Sequence, residues 1–327
     1  MNKKFNSQTK FEFEGILVKK EKIPSISVLG SLHIDLVNKT KRIPEVGETV
    51  WGGKFKMTPG GKGANQAVAA SRLGAEVKLL GKIGSDYFGE ILVDNIANEG
   101  IPTNNLISND EFHTGVAEII VDSKGRNIIS VAPGANAELT VNDLESKTDF
   151  FESSDLFLTQ LEIPVEVVEY ALEKASENGL KTILNPAPAK EISDKILRNV
   201  DILVPNRIEL MDIAGEGRTS NSLKEAARDI LKRGPEAIVV TLGEDGALLV
   251  SDEEATKFEG TKIEAMDTTG AGDAFCAGLA TSMASGKSLQ ESVKTGNLAG
   301  ALTTTKLGAQ EALPTYQELS DFKKEIN

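Results

Sequence analysis

The sequence predicts an α/β fold: a central, mostly parallel sheet flanked by helices on both faces, with a small β-sheet lid. Three observations predict it. Short apolar runs alternate with stretches of helical period. Most helical stretches are stopped by a glycine. Two segments break the rhythm and read instead as extra antiparallel strands. An ordered alternation of helix, glycine stop and buried strand is the signature of a parallel sheet covered on both sides.

Taken in order, Met1 to Lys22 is rich in Lys, Glu and Asn and has no hydrophobic signal core, so residues 1–24 read as an N-terminal extension. The alternative there is an edge strand over the alternation Phe11, Phe13, Gly15, Leu17. Residues 25–325 read as one domain. Ile26 to Gly30 is its first strand. Ala64 to Leu73 is a helix closed by Gly74, Val77 to Leu80 a strand, and Gly89 to Asn98 a helix closed by Gly100. Asp155 to Leu161 is a strand, followed by a helix over Val165 to Asn178 that ends at Gly179. Thr182 to Leu184, Ile202 to Val204 and Ala237 to Thr241 are short apolar strands between further helices. The lid comes from two segments. Leu36 to Met57 is polar, carries Pro44, Gly47, Gly52 and Gly53, and has no helical period; Gly115 to Val131 is a hairpin turning at Asp122 to Gly125.

Composition narrows the function. Of the 327 residues, 40% are hydrophobic and 26% charged, ordinary for a folded domain, and 5% are aromatic, too few for a stacking platform. The formal net charge of -13 disfavours nucleic acid and anionic membrane as partners. An anionic ligand therefore needs a locally positive site made from backbone amides, helix N-termini or a divalent cation such as Mg²⁺. The single cysteine, Cys276, allows no intrachain disulfide and fits a cytoplasmic location; on an apolar helix it reads as an inert core thiol. No apolar run has the length of a membrane span.

The strongest chemical signal is Asp267-Thr-Thr-Gly-Ala-Gly-Asp273. A strand over Lys262 to Met266 is expected to enter it, and a helix over Ala274 to Ser285, closed by Gly286, to leave it. Gly270 and Gly272 let the backbone approach a ligand, and amides at the helix start, with the positive dipole end behind them, form an anion hole for a transferring phosphoryl group. Asp273 stands at the same helix start as an ionised carboxylate of ordinary pKa, able to take a proton from an attacking hydroxyl. The bland alternative is a plain N-cap, but caps rarely need two glycines before them. A second glycine cluster, Gly60-Gly-Lys-Gly-Ala-Asn65-Gln, offers Lys62 and Asn65 as donors at another helix start. It is not a Walker loop: Gly63 follows Lys62 where Ser or Thr is required, and Lys56 stands where the first glycine should be. Nor does Gly30-Ser-Leu-His-Ile-Asp35 carry the glycines of a dinucleotide fingerprint.

Together these two motifs resemble those of the ribokinase-like (PfkB) carbohydrate kinases. The resemblance runs from Ile26 to about Phe322. It includes Gly30-Ser31 with Asp35, Pro44-Glu-Val-Gly-Glu-Thr49, Gln160-Leu-Glu162, Asn185-Pro-Ala-Pro-Ala189, Pro205-Asn206, Thr241-Leu-Gly243 and Gly308-Ala-Gln310. It is strongest to the ribokinase branch and implies the ribokinase-like form of the predicted fold. It implies ATP-dependent phosphorylation of the 5-hydroxyl of D-ribose, with a 2-deoxyribose kinase, a nucleoside kinase and a non-catalytic sugar-binding regulator as alternatives. Asp273 would be the catalytic base, with the amides of Gly270, Ala271 and Gly272 as the anion hole. His33, Asp35, Gly61, Lys62, Asn65 and Glu162 would surround the sugar. Asn206 and Glu209 would sit near the phosphates and Mg²⁺; Thr241, Gly243 and Gly246 would line the nucleotide groove, with Asn297 near the adenine. K⁺ would bind beside the anion hole through Asp267, Thr269, Thr303, Lys306, Gly308 and the position of Ala312, partly by backbone carbonyls. The lid would join two copies into a homodimer.

Three positions depart from the family pattern. His33 stands where Asn is usual, Arg207 where Glu is usual, and Ala312 where a Ser often supports the cation loop. Other residues have simpler readings. His113 is a surface or strand-edge residue, Asp86 and Glu90 belong to a helix start, and Trp51 either packs at a dimer contact or caps the lid strands.

Overall fold

A computed structural model describes residues 22–215 and 222–326. The extension, with its alternation from Phe11 to Leu17, lies almost entirely outside the described residues. Among the described residues there are thirteen strands: β1 (Ser25–Leu29), β2 (His33–Lys39), β3 (Lys54–Gly60), β4 (Glu76–Gly84), β5 (Leu106–Asn109), β6 (Gly115–Val121), β7 (Asn127–Ala132), β8 (Leu156–Thr159), β9 (Lys181–Leu184), β10 (Ile202–Leu203), β11 (Ala237–Thr241), β12 (Ala247–Ser251) and β13 (Ala255–Phe258). The same residues form ten α-helices: α1 (Lys62–Arg72), α2 (Tyr87–Asn98), α3 (Val141–Glu145), α4 (Val165–Glu177), α5 (Asp194–Leu197), α6 (Arg207–Ala214), α7 (Leu223–Leu231), α8 (Ala271–Ala284), α9 (Leu289–Thr303) and α10 (Tyr316–Glu325).

Nine strands form one sheet in the order β13-β12-β11-β10-β9-β8-β1-β4-β5. Its pairs are parallel from β11 to β5; β12 and β13 are added antiparallel. Alternation along each strand divides the core. Val28, Leu158, Ile183 and Val239 face one apolar cluster shared with α1, α2, α8 and α9. Leu29, Phe157, Leu184 and Val240 face the other, with α4, α5, α6 and α7. This matches the predicted sheet covered on both faces.

The smaller sheet has the order β3-β2-β6-β7. The β2–β3 and β6–β7 pairs are antiparallel, but β2 and β6 run parallel, not antiparallel as expected of lid strands. The chain passes through α1, β4, α2 and β5 between them, a crossover long enough to bring β6 back in the same direction. One turn acts as read: the Asp122 carboxylate accepts from the amides of Lys124 and Arg126. The face that carries Ile129, at 56%, and Val131 is apolar and exposed; Phe55, at 67%, falls on the opposite face by the ladder register, and Trp51, at 90%, precedes β3.

One expected strand is missing. Lys262 to Met266 alternates with period two but has no regular structure, and the amides of Met266 and Asp267 donate to Thr304 O at the end of α9. Elsewhere the differences are of extent: β4 continues past Leu80 to Gly84, and α1 begins at Lys62, two residues before the expected Ala64. At the far end of α1, Arg72 pairs with Glu99 and donates to the carbonyls of Gln310, at 2.6 Å, and Leu313, at 2.9 Å. Asn95 of α2 donates to the Gln310 side chain at 2.7 Å, so the segment 310–313 is tied to both helices.

Candidate active site

The loops that follow β1, β8, β9, β10 and β11 all lie at carboxyl ends of parallel strands, where α/β sheets bind ligands. Two helix starts converge there. Gly61 precedes α1 with φ 94°, and a Cβ at this position would lie 2.7 Å from Ser31 O. Glycine is therefore required both by the left-handed backbone and by the close passage of β2's approach. Gly270 precedes α8 with φ 77°.

Asp273 is not the cap of α8. Gly270 holds the cap position, no side chain caps it, and Asp273 lies three residues in. Its carboxylate is buried and points across to α1: Asn65 Nδ2 donates to Oδ2 at 2.9 Å and Gln66 Nε2 to Oδ1 at 3.1 Å. Gln66 is fixed in turn by Gln160, which donates to its Oε1 at 2.6 Å, and Gln66 Nε2 also lies 3.3 Å from Asn185 Oδ1. The ordinary pKa expected for Asp273 is corrected here. Burial pushes the carboxyl up, and Glu162 adds to this, against the opposing pull of Lys62, Asn65 and Gln66. A raised pKa suits a general base better than an ordinary one.

Beside Asp273 the sugar residues expected from the sequence are together. Glu162 Oε2 accepts from the Lys62 amide at 2.9 Å and from Ser31 Oγ. His33 Nδ1 lies 3.0 Å from Asp35 Oδ1, and its Nε2 lies 3.6 Å from Glu162 Oε2. Burial alone would depress His33, but Asp35 and Glu162 raise it to about 9. Burial alone would raise Glu162, but His33, Lys62 and Ser31 hold it at about 2. The Lys62 ammonium is held above its ordinary value, against burial, by Asp273, Glu162 and Glu209. Asn65 Oδ1 is buried with no partner. An orphaned acceptor next to a base calls for a hydroxyl donor.

The expected anion hole is partly committed. The Ala271 amide donates to Thr268 O at 3.2 Å, which leaves those of Gly270 and Gly272. A Cβ on Gly272 would meet nothing within 4 Å, so the space above this turn is open.

Of the residues expected at the nucleotide, Asn206 and Glu209 follow β10, and Thr241, Gly243 and Gly246 lie at and after the end of β11. Asn206 caps α6 with Oδ1 on the amides of Ile208 and Glu209, and Glu209 Oε2 accepts from the Asn206 amide. Both are thus tied into the cap, but Glu209 is buried, and burial raises its pKa. Thr241 bridges Asn206 at the end of β11, and its amide donates to Pro205 O. Gly243 and Gly246 shape the next turn, where Asp245 pairs with Arg207. Asn297 is half-buried on α9, which packs on α8.

In the expected cation loop, Asp267 accepts from Thr269 through the amide and Oγ1, and from the Gly308 amide at 3.0 Å. Burial would raise its carboxyl, but these donors hold it below its ordinary value. Thr303 Oγ1 donates to Ala299 O and keeps its lone pairs, the Lys306 ammonium is paired with Glu318, and Ala312 is buried. Lys306 and Ala312 can therefore offer a cation only main-chain groups. No described group of three or more His, Cys, Asp or Glu side chains could form a metal cage.

Gln66, Ser31, Gln160 and Asn185 carry the network around Asp273 and Glu162 but received no individual role from the sequence. Gln66 adjoins Asn65 in the glycine cluster, and its polarity inside an apolar helix run, before Ala67 to Ala70, was the available signal.

The model of the pfkB family carbohydrate kinases matches residues 24–316. The chain is 38% identical over 299 residues to the ribokinase of Haemophilus influenzae, covering 91% of this chain and 98% of that protein. It is 33% identical to the deoxyribokinase of Salmonella typhi over 299 residues, with the same coverages. Among solved structures, the Arabidopsis thaliana ribokinase complexed with ribose and ATP superposes with TM-score 0.85 at 27% identity, over 93% of this chain and 99% of that one.

Proposed function

The chain belongs to the pfkB family of carbohydrate kinases, and from that premise we propose that it transfers the γ-phosphoryl group of ATP to the 5-hydroxyl of D-ribose, giving ribose 5-phosphate and ADP. That it is a sugar kinase, a phosphotransferase on the ribokinase-like fold, follows from the family; the pentose and the roles below are our reading. One observation carries it: the buried carboxylate of Asp273 is held by Asn65 and Gln66 beside the unpartnered Asn65 Oδ1.

Each Asp273 oxygen already accepts one hydrogen bond and has a lone pair left, so it can accept the 5-hydroxyl proton as the phosphoryl group arrives. Asn65 Oδ1 takes a neighbouring hydroxyl, and Asp35 and Glu162 grip the rest of the ring. The free amides at Gly270 and Gly272, with the α8 dipole behind them, face the charge that develops on the transferred group. Phosphoryl transfer asks for little beyond this positioning and charge stabilisation.

Mg²⁺ commonly travels with nucleotide phosphates and needs only one or two protein carboxylates. Glu209 fits, with one oxygen outside its cap; bound there, the ion would neutralise phosphate charge. The Asp267 loop fits a monovalent cation such as K⁺, since its depressed carboxylate is hydrogen-bonded by neutral donors, with Lys39 acting on it only through space, and the nearby main chain of Thr303, Lys306 and Gly308 supplies carbonyls. The exposed apolar lid face supports a homodimer, and the single, buried Cys276 supports a cytoplasmic setting.

The test is sugar-dependent ADP release across D-ribose, 2-deoxyribose and nucleosides. The highest kcat/KM on ribose is expected. A clear preference for 2-deoxyribose or a nucleoside overturns the substrate, and ribose binding without ADP release from any of them makes the protein a sugar-binding regulator.

A further inference from the structure

We propose that His33 is a positioning residue: as an imidazolium it ties Asp35 to Glu162 across the sugar pocket, and so determines which carboxylate oxygens are left for substrate hydroxyls. The proposal rests on the sugar-kinase reading of this pocket.

The geometry is specific. His33 opens β2, and both residues opposite it in the ladder are glycines, Gly60 on β3 and Gly115 on β6. Neither neighbouring strand places a side chain against the ring, and a Cβ on Gly115 would lie 3.0 Å from that of His33. The imidazole thus fits a slot between backbones. Its two nitrogens face two different elements: Asp35 two residues along β2, and Glu162 in the loop after β8. Both carboxylates are shielded from solvent, and the ring side chain is only 12% exposed. Two ionised carboxylates sharing a buried pocket repel each other, and a cation between them removes that penalty. The other charges nearby are Lys62 at the start of α1, which acts on Glu162, and Asp273 on α8. Burial opposes protonation of the ring, yet the two carboxylates outweigh it and bring His33 to about 9, so the bridge is charged at neutral pH.

The usual Asn at this position can donate from its amide and accept through its oxygen. The imidazolium has two N–H donors and no acceptor: Nδ1 bonds Asp35 Oδ1, and Nε2 faces Glu162 Oε2 at 3.6 Å as an ion pair, outside hydrogen-bond distance. His33 therefore offers the sugar no acceptor; it occupies one oxygen of Asp35, and its charge steadies Glu162, whose Oε2 is also held by the Lys62 amide and Ser31. The sugar must bond to what remains, and binding depends on the proton that holds the arrangement. As pH rises through about 9, the neutral ring can still donate from Nδ1 to Asp35, but the charge facing Glu162 is lost. Lys62, held above its ordinary value, keeps its charge through this window.

The experiment measures sugar KM and kcat from about pH 7.5 to about pH 10 in the wild type and in His33→Asn, with ATP saturating. The wild-type KM is expected to rise roughly tenfold across this window while kcat changes little, as expected for loss of the buried ion pair that steadies Glu162 in the ground state. The variant should show a flat KM. A flat wild-type profile, or the same rise in the variant, overturns the proposal. Imidazole NMR provides a second measurement that needs no substrate. The chain has two histidines, His33 and His113, and His113→Gln assigns the signals. A His33 midpoint near 9 supports the bridge, and one at the ordinary 6.5 overturns it. Because this titration does not require turnover, a protein that phosphorylates no pentose would fail the kinase reading while still reporting on the bridge.

Discussion

Replacing Asp273 by Asn separates the reaction from the fold. The substitution keeps volume and shape and exchanges one carboxylate oxygen for an NH₂ group. Two donors now converge on the wild-type carboxylate, Asn65 Nδ2 at 2.9 Å and Gln66 Nε2 at 3.1 Å. In the variant one of them faces another donor. If that one is Gln66, its amide still has Asn185 Oδ1 at 3.3 Å, so the loss falls at the low end of the usual range for an unsatisfied buried group, about 1 kcal/mol. A second effect has the opposite sign. Burial raises the Asp273 carboxyl, so its ionised form sits in a place that disfavours it, and a neutral amide removes that strain. The melting temperature should therefore stay level or rise. The reaction should suffer far more: without a proton acceptor, kcat is expected to fall by about 10²–10⁴-fold with sugar KM little changed. ADP release measured by a coupled assay, alongside a thermal melt, checks both. A kcat within tenfold of wild type in a folded variant would refute the assignment of the base.

Three further outcomes are expected. Glu162 has a folded pKa of about 2 against an ordinary 4.5, so its stabilising contribution is present above the higher value and is lost as pH falls toward the lower one. Roughly 2 kcal/mol should go between about pH 7 and about pH 3, and Glu162→Gln, measured by urea unfolding, should lack that component; an unchanged acid slope contradicts the shift. If the exposed lid face joins two copies, light scattering at micromolar concentration should give a dimer and Ile129→Lys a monomer, whereas a monomeric wild type removes the lid contact. If the Asp267 loop holds a monovalent cation, rates in K⁺ should exceed those in tetramethylammonium, and Asp267→Asn should erase the difference; equal rates in the wild type leave the site without a role.

The parts of the site legible in the sequence were those that single residue types dictate. Gly61 and Gly270 both adopt left-handed backbone at helix starts, and glycine clusters announce such places whatever the fold. The sheet was legible because its strands are buried on both faces and read as unbroken apolar runs. What the sequence left out depends on long-range placement. Gln66 looks like one more polar residue until α8 sets Asp273 against it, 207 residues away along the chain. Lys262 to Met266 has the alternation of a strand, yet its end finds a helix carbonyl instead of a neighbouring edge, and alternation alone cannot supply a partner. The parallel pairing of β2 with β6 follows from the crossover between them rather than from either strand's pattern. The pKa of Asp273 was misjudged because burial is a property of the assembled helices.

Helix α1 has a mechanical consequence. Its eleven residues make a rod about 16 Å long. At one end its first turn supplies Asn65 and the Lys62 amide to the pocket. At the other end Arg72 clasps the carbonyls of Gln310 and Leu313, just beyond the Gly308 that meets Asp267. A stiff lever pivoting within packed walls cannot tilt at one tip alone. If the Asp267 loop holds a cation, the brace on that loop and the grip on the sugar share this one rod, and any coupling between them would be equal in both directions.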